Sequence, residues 1–223
     1  MLKGLKVWGI AAAATVLMAA PAMAVPVIDF STGTMAGQGG TISWNGSSLI
    51  GNNIPIGAVT IVGAPTGNGA FAVAGSAVGQ AGFAWWGDLD FNTTPGNNFI
   101  SITGCIHQFG VGQTDVNGNC QVPVTLLSGT IASFDASNAA FGLISAQGED
   151  TKNQNLLIAL GLDPNTPFQF FGFSIATQNL SANGTPGAAI STDMRNTAVP
   201  EPATMMLLGT GLLAAFRARR RTA

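Results

Sequence analysis

Short runs of β-branched and aromatic residues recur along this chain, and nearly every run is bounded within a few positions by Gly, Asn, Pro or Ser. That punctuation leaves little room for helices, which need a sustained 3.6-residue period. It favours strands of about 4–8 residues joined by tight turns. Segments 27–30, 41–44, 58–63, 70–74 and 83–91 fit the strand pattern, as do 122–134, 140–146, 168–177 and 188–193. Between residues 89 and 103 two alternating stretches flank Pro95-Gly96, a pair whose fixed and permissive φ angles suit a hairpin turn. Hydrophobic residues make up 47% of the chain, enough to supply a core despite 30 Gly and 11 Pro.

The run around Phe168 carries a register signal. Phe168 and Phe170 share one face of an ideal strand, whereas Phe171, Phe173 and Ile175 share the other. Either the strand is buried on both faces or a bulge near Phe170 changes its register, and both options make it central. One helix is expected at 151–160, with Asp150 or Thr151 as N-cap, Leu156, Leu157 and Leu160 on one face, and Gly161 then Pro164 as the stop. About ten strands and one short helix predict an all-β fold, an antiparallel sandwich of jelly-roll type.

Charge is sparse and unevenly placed. The net charge is −2, but Lys3 and Lys6 lie at the start, and Arg217, Arg219, Arg220 and Arg221 at the end. Residues 25–198 retain nine carboxylates against Lys152 and Arg195, a net −7. Such a surface cannot neutralise phosphates, which argues against nucleic acid as a partner of the central region and against its adhesion to anionic lipid.

The two ends have the composition of addresses. Residues 1–24 have the order of a secretory signal peptide: a basic start, the apolar run 7–20, and Ala22-Met23-Ala24 as the small-residue cleavage site, leaving Val25 as the new N-terminus. Fourteen apolar residues at ~1.5 Å rise cover about 21 Å, short of a ~30 Å hydrocarbon core. At the other end Val199-Pro200-Glu201-Pro202 is followed by the apolar run 205–216 and then by the Arg cluster. Clustered arginines stay on the cytoplasmic side, so the central region would lie across the membrane from them. This tripartite tail, 199–223, resembles the PEP-CTERM sorting signal of Gram-negative bacteria. The resemblance implies exosortase, a membrane enzyme, as partner. Pro200, Glu201 and Pro202 would be the recognition motif, 205–216 a transmembrane helix that anchors the chain before processing, and Arg217–Arg221 the basic terminus. The opening 28–33, the hairpin 89–103 and segments 127–129, 148–153 and 196–198 are also similar to β-rich ectodomains that accompany such signals. No activity comes with that similarity.

Several constellations in the body could carry chemistry. Cys105 and Cys120 are the only cysteines and would meet an oxidising compartment, where an even count points to a disulfide. His107 is the sole histidine, so a Ser-His-Asp mechanism would have to use it, and no Gly-x-Ser-x-Gly elbow accompanies it. Asp115-x-Asn117-x-Asn119 has the ligand spacing that opens a calcium loop, but Cys120 stands where that loop needs Gly and Leu126 where it needs Glu. Asp88 and Asp90, with Asn97 and Asn98, form a second oxygen-rich group if the turn folds back over the strand. Trp85 and Trp86 adjoin it. On a strand one would face the core and the other outward, where it could stack on a sugar ring. Asn45, Asn92, Asn179 and Asn183 head Asn-x-Ser/Thr triplets.

The sequence thus predicts a non-enzymatic protein with no cofactor or resident metal, exported across the inner membrane to the cell surface or extracellular matrix and associated with exopolysaccharide or biofilm. The alternative is a secreted carbohydrate-binding module, calcium-assisted or not, using Trp85, Trp86, Asp88 and Asp90.

Overall fold

The computed structural model describes residues 25–32, 39–75, 86–136, 143–181, 183–199 and 209–212. Among the described residues thirteen strands follow one another: β1 Val27–Ser31, β2 Gly39–Trp44, β3 Leu49–Ile56, β4 Ala58–Val62, β5 Gly69–Ala72, β6 Gly87–Asn92, β7 Phe99–Gly104, β8 Gln113–Thr114, β9 Cys120–Val122, β10 Val124–Asp135, β11 Leu143–Lys152, β12 Phe168–Gln178 and β13 Gly187–Ala198. A short helix, α1 Gln154–Ala159, lies between β11 and β12, and a 3-10 turn spans His107–Phe109. Every pairing is antiparallel, as the sequence predicted.

Hydrogen bonding joins eleven strands in the order β12-β11-β10-β7-β6-β3-β2-β13-β1-β4-β5, and a further pairing of β12 with β13 closes eight of them into a ring. Closure leaves those strands no free edge. The ring branches at β13, whose first residues pair with β2 while residues 193–197 pair with β1. A matching bend falls at Gly57, where β3 passes directly into β4. There the ring of Trp86 and the Thr32 carbonyl come so close that a Cβ on Gly57 would sit 2.2 Å and 2.6 Å from them. Only glycine fits that corner. The antiparallel β architecture is therefore established; the jelly-roll strand order is not part of what the pairing shows.

The bulge expected near Phe170 is present. Phe170 pairs with Asn196 but Gly172 pairs with Arg195, so one extra residue enters β12 between them. The shift turns Phe168, Phe170, Phe173 and Ile175 all toward the interior, each 1% exposed or less. Phe91 and Phe170 pack edge-on against Phe173, with ring centroids 5.7 and 6.2 Å apart. The rest of the core comes from inward positions of both branches, including Ile28, Phe30, Ile42, Ile61, Leu89 and Ile102, with Leu156, Leu157 and Leu160 of the helical segment beneath.

The helix is shorter than expected, and its cap differs. Asp150 and Thr151 belong to β11, and Asn153 is the N-cap, accepting from the Asn155 and Leu156 backbone N–H groups. The sheet pairing of Asp150 with Phe168 overrides the local capping preference of both residues. Gly161 ends the turn at φ +70, the left-handed conformation that its lack of a Cβ permits. β3 has no counterpart in the sequence reading. Asn52, Asn53 and Pro55 are poor strand formers, and the register indeed shifts between Gly51 and Ile54.

Candidate functional site

The root of the tail is built by the last strand. β13 is flanked by β12 on one side and β1 on the other, so its end is gripped from both edges. The Ala198 N–H donates to the Pro26 carbonyl at 3.1 Å, and the Val199 N–H to the Pro167 carbonyl at 2.9 Å. Pro200 follows immediately. In sequence, no linker separates Val199 from the Pro-Glu-Pro motif. Pro200, Glu201, Pro202 and Arg217–Arg221 lie outside the described residues, as do residues 1–24, where a signal peptide is expected; of the apolar run, residues 209–212 are helical. Among the described residues no helix is long and apolar enough to cross a membrane.

Beneath that root lies an ion pair the sequence reading missed. Lys152 donates to Asp150, and both side chains are wholly buried. The Lys152 Nζ also sits 4.8 Å from the centroid of the Phe168 ring. Burial pulls the Lys152 ammonium down to about 8 against the favourable field of Asp150, and burial raises the Asp150 carboxyl against that of Lys152. A lysine within a Glu-Asp-Thr-Lys run looks solvated in sequence. Its partner two residues away on the same strand face is the signal that could have identified it.

Cys105 and Cys120 are disulfide-bonded, with Cα atoms 5.5 Å apart. The loop they close is ordered from within by Asp115. Its Oδ1 accepts from the Asn117 and Asn119 N–H groups at 2.8 and 2.9 Å, and its Oδ2 accepts from Asn119 Nδ2 at 2.7 Å. Hydrogen bonds from the Asn119 side chain and backbone hold this carboxyl below its usual range, helped by Asn117 and His107. The Asp-x-Asn-x-Asn pattern thus folds onto itself as a turn. His107 is exposed, with Nδ1 2.7 Å from the Thr114 hydroxyl.

The acidic strand is likewise committed to structure. Asp88 and Asp90 project from one face of β6, opposite Thr103 and Ser101 of β7. The Asp90 Oδ1 accepts from the Asn53 N–H at 2.8 Å, holding the irregular part of β3, where Asn53 has φ +52. Burial, and then the charge of Asp90, push the Asp88 carboxyl up to about 6. Asn98 does not approach either carboxylate. It clamps Ile131 of β10, accepting from its N–H at 3.0 Å and donating to its carbonyl at 2.5 Å. Asn97 lies in the turn at the far end of the hairpin from Asp88. Trp86 is half-buried against Gly57, and Trp85 lies outside the described residues. Among the described residues no group of three His, Cys, Asp or Glu side chains is arranged to hold a metal. Of the Asn-x-Ser/Thr triplets, Asn92 is buried, while Asn45 and Asn183 occupy exposed turns.

The decisive comparison falls on the tail. Residues 198–221 match the PEP-CTERM protein-sorting motif. The tail is a PEP-CTERM sorting signal. The match begins at Ala198, the last residue of β13, so the signal and the sheet abut. This signal marks the chain for export and for processing by exosortase at the cell envelope. No curated protein and no solved structure matches the chain.

Proposed function

We propose that this is a surface or extracellular-matrix protein of a Gram-negative bacterium, without catalytic turnover of its own, which works by adhering to exopolysaccharide. The observation that carries the reading is the direct joint between β13 and the sorting signal: the body is presented as cargo at the point where the signal begins. In this reading 205–216 hold the chain in the inner membrane until exosortase acts near Pro200-Glu201-Pro202, and the body then passes to the surface.

Support for polysaccharide contact comes from the outer face of the sheet. Cross-strand pairing sets Asp90, Ser101, Ser128 and Thr151 in one row across β6, β7, β10 and β11, with Asp88, Thr103 and Thr125 in the row beside it. Hydroxyl and carboxylate groups in register on a broad sheet suit a hydrated, hydroxyl-rich polymer better than a small ligand in a pocket. His107 is engaged with Thr114, and the sequence holds no Gly-x-Ser-x-Gly elbow to pair with it, which counts against the alternative of hydrolysis.

Two variants test the two halves of the proposal. Glu201→Ala should leave an unprocessed, membrane-bound precursor, because the apolar run and the arginines that fix topology are untouched. Replacing Ser101, Ser128 and Thr151 together by Ala should weaken co-sedimentation with the cell's own exopolysaccharide while leaving sorting intact. Unchanged processing in the first variant, or unchanged co-sedimentation in the second, would overturn the corresponding half.

A further inference from the structure

The end of the body from which the tail emerges carries an unusual set of exposed apolar side chains. Antiparallel pairing places several segments at the Ala198 end. Val27 and Val62 pair beside Thr197, so the start of β1 and the end of β4 lie there. Phe168 pairs with Ala198 and Asp150 with Phe168, which brings in the end of β11 and α1 after it. Leu127 pairs with Lys152 and Val124 with Gly104, adding the end of β7 and the disulfide loop that follows. Val25, Val62, Val116, Val122 and Ile158 stand on these segments and are 47–95% exposed. Elsewhere on the described body, the exposed large apolar residues Ile50, Phe99 and Ile190 reach only 36–39%.

The length of the tether identifies what covers this rim. Only residues 200–204 separate Val199, whose N–H is bonded to the Pro167 carbonyl of the body, from the apolar run at Met205. The six Cα steps from Val199 to Met205 span at most about 22 Å even when fully extended. While the tail is in the membrane, this end cannot leave the bilayer surface. The charged or titratable groups on the exposed segments there are His107, Asp115, Asp163 and, after the expected cleavage, the α-amino group of Val25; these few can stay in the headgroup layer, and the attraction would be apolar rather than electrostatic.

We infer that the rim formed by Val25, Val62, Val116, Val122 and Ile158 is a lipid-contact surface that seats the folded body upright on the bilayer while the sorting tail is inserted. This rests on the proposed insertion of 205–216. Seating holds Pro200-Glu201-Pro202 at the height of the interface, where a membrane enzyme can reach it.

The test uses the chain with its tail, reconstituted into phosphatidylcholine vesicles. Single-cysteine additions at Val62, Ile158 and, as a control in the distant β6–β7 turn, Asn97 would carry a polarity-sensitive fluorophore. Flotation with the vesicles reports insertion, and quenching by lipids brominated near the headgroup reports contact. The inference requires flotation, with blue-shifted and quenched emission at 62 and 158 but water-like, unquenched emission at 97. Flotation with unquenched probes at 62 and 158 overturns the seating and leaves tail insertion standing. Quenching at all three positions overturns the upright orientation. Failure to float overturns tail insertion and the seating with it.

Discussion

Replacing Lys152 by methionine removes the one cation that faces a fully buried carboxylate while nearly preserving side-chain volume. In the folded protein Asp150 Oδ1 accepts from Lys152, and Asp150 Oδ2 is buried with no hydrogen-bond partner among the described residues. The variant leaves Asp150 to be buried without compensation, and breaking a buried pair from one side costs about 3–5 kcal/mol. In a domain of this size each kcal/mol lowers Tm by roughly 2–4 °C, so the expected loss is about 6–20 °C. Removing both partners, Asp150→Leu with Lys152→Met, should recover much of that loss, because a buried ion pair contributes little net stability over apolar residues that fill its space. Denaturant unfolding of the wild type, the single variant and the double variant, all with the disulfide intact, checks both. A single-variant loss under about 1 kcal/mol, or a double variant less stable than the single, would refute the claim that the pair is buried and mutually dependent.

Reducing the Cys105–Cys120 bond should cost about 3 kcal/mol, the loop-closure value for some 15 residues, and leave the domain folded; circular dichroism melts with and without reductant measure it. Burial, together with a hydrogen bond and charge repulsion from Asp193 and against the pull of Arg195, raises the Asp29 carboxyl to about 7. The folded state then keeps a proton that the unfolded state releases between about pH 4 and 7, so this group's contribution to stability is lost as pH rises through that window. Asp29→Asn should accordingly be more stabilising, or less destabilising, at pH 7.5 than at pH 4.5 in urea titrations. Gly57→Ala should destabilise the corner between β3 and β4 by about 1–3 kcal/mol, since the added methyl overlaps Trp86 and the Thr32 carbonyl, and the shift in urea midpoint reports it.

Much of this fold is legible because alternation and turn chemistry are local. The hairpin formed by β6 and β7 and the bulge in β12 can be argued from Pro95-Gly96 and from the spacing of Phe168, Phe170 and Phe173 alone. β3 is not legible, since its irregular middle is stabilised by Asp90, 37 positions away, rather than by its own strand propensity. The same distance effect misleads about the acidic residues. Asp90 and Asp115 look like ligand oxygens in sequence, but the fold uses both to hold backbone N–H groups. Asp150 looks like a helix cap until its sheet partner Phe168, 18 residues on, is known. The sorting signal was legible because its recognition depends on linear order at a chain end, with no tertiary contact required.

The central claim is that the tail is a processed address joined directly to the sheet. The most direct measurement is the intact mass of the exported protein in a host that has exosortase and in one that lacks it. The account predicts a shorter C-terminus, missing the apolar run and the arginines, only where exosortase is present, with residues 25–198 unchanged in both. Identical masses that retain residues 205–223 in both hosts would contradict it.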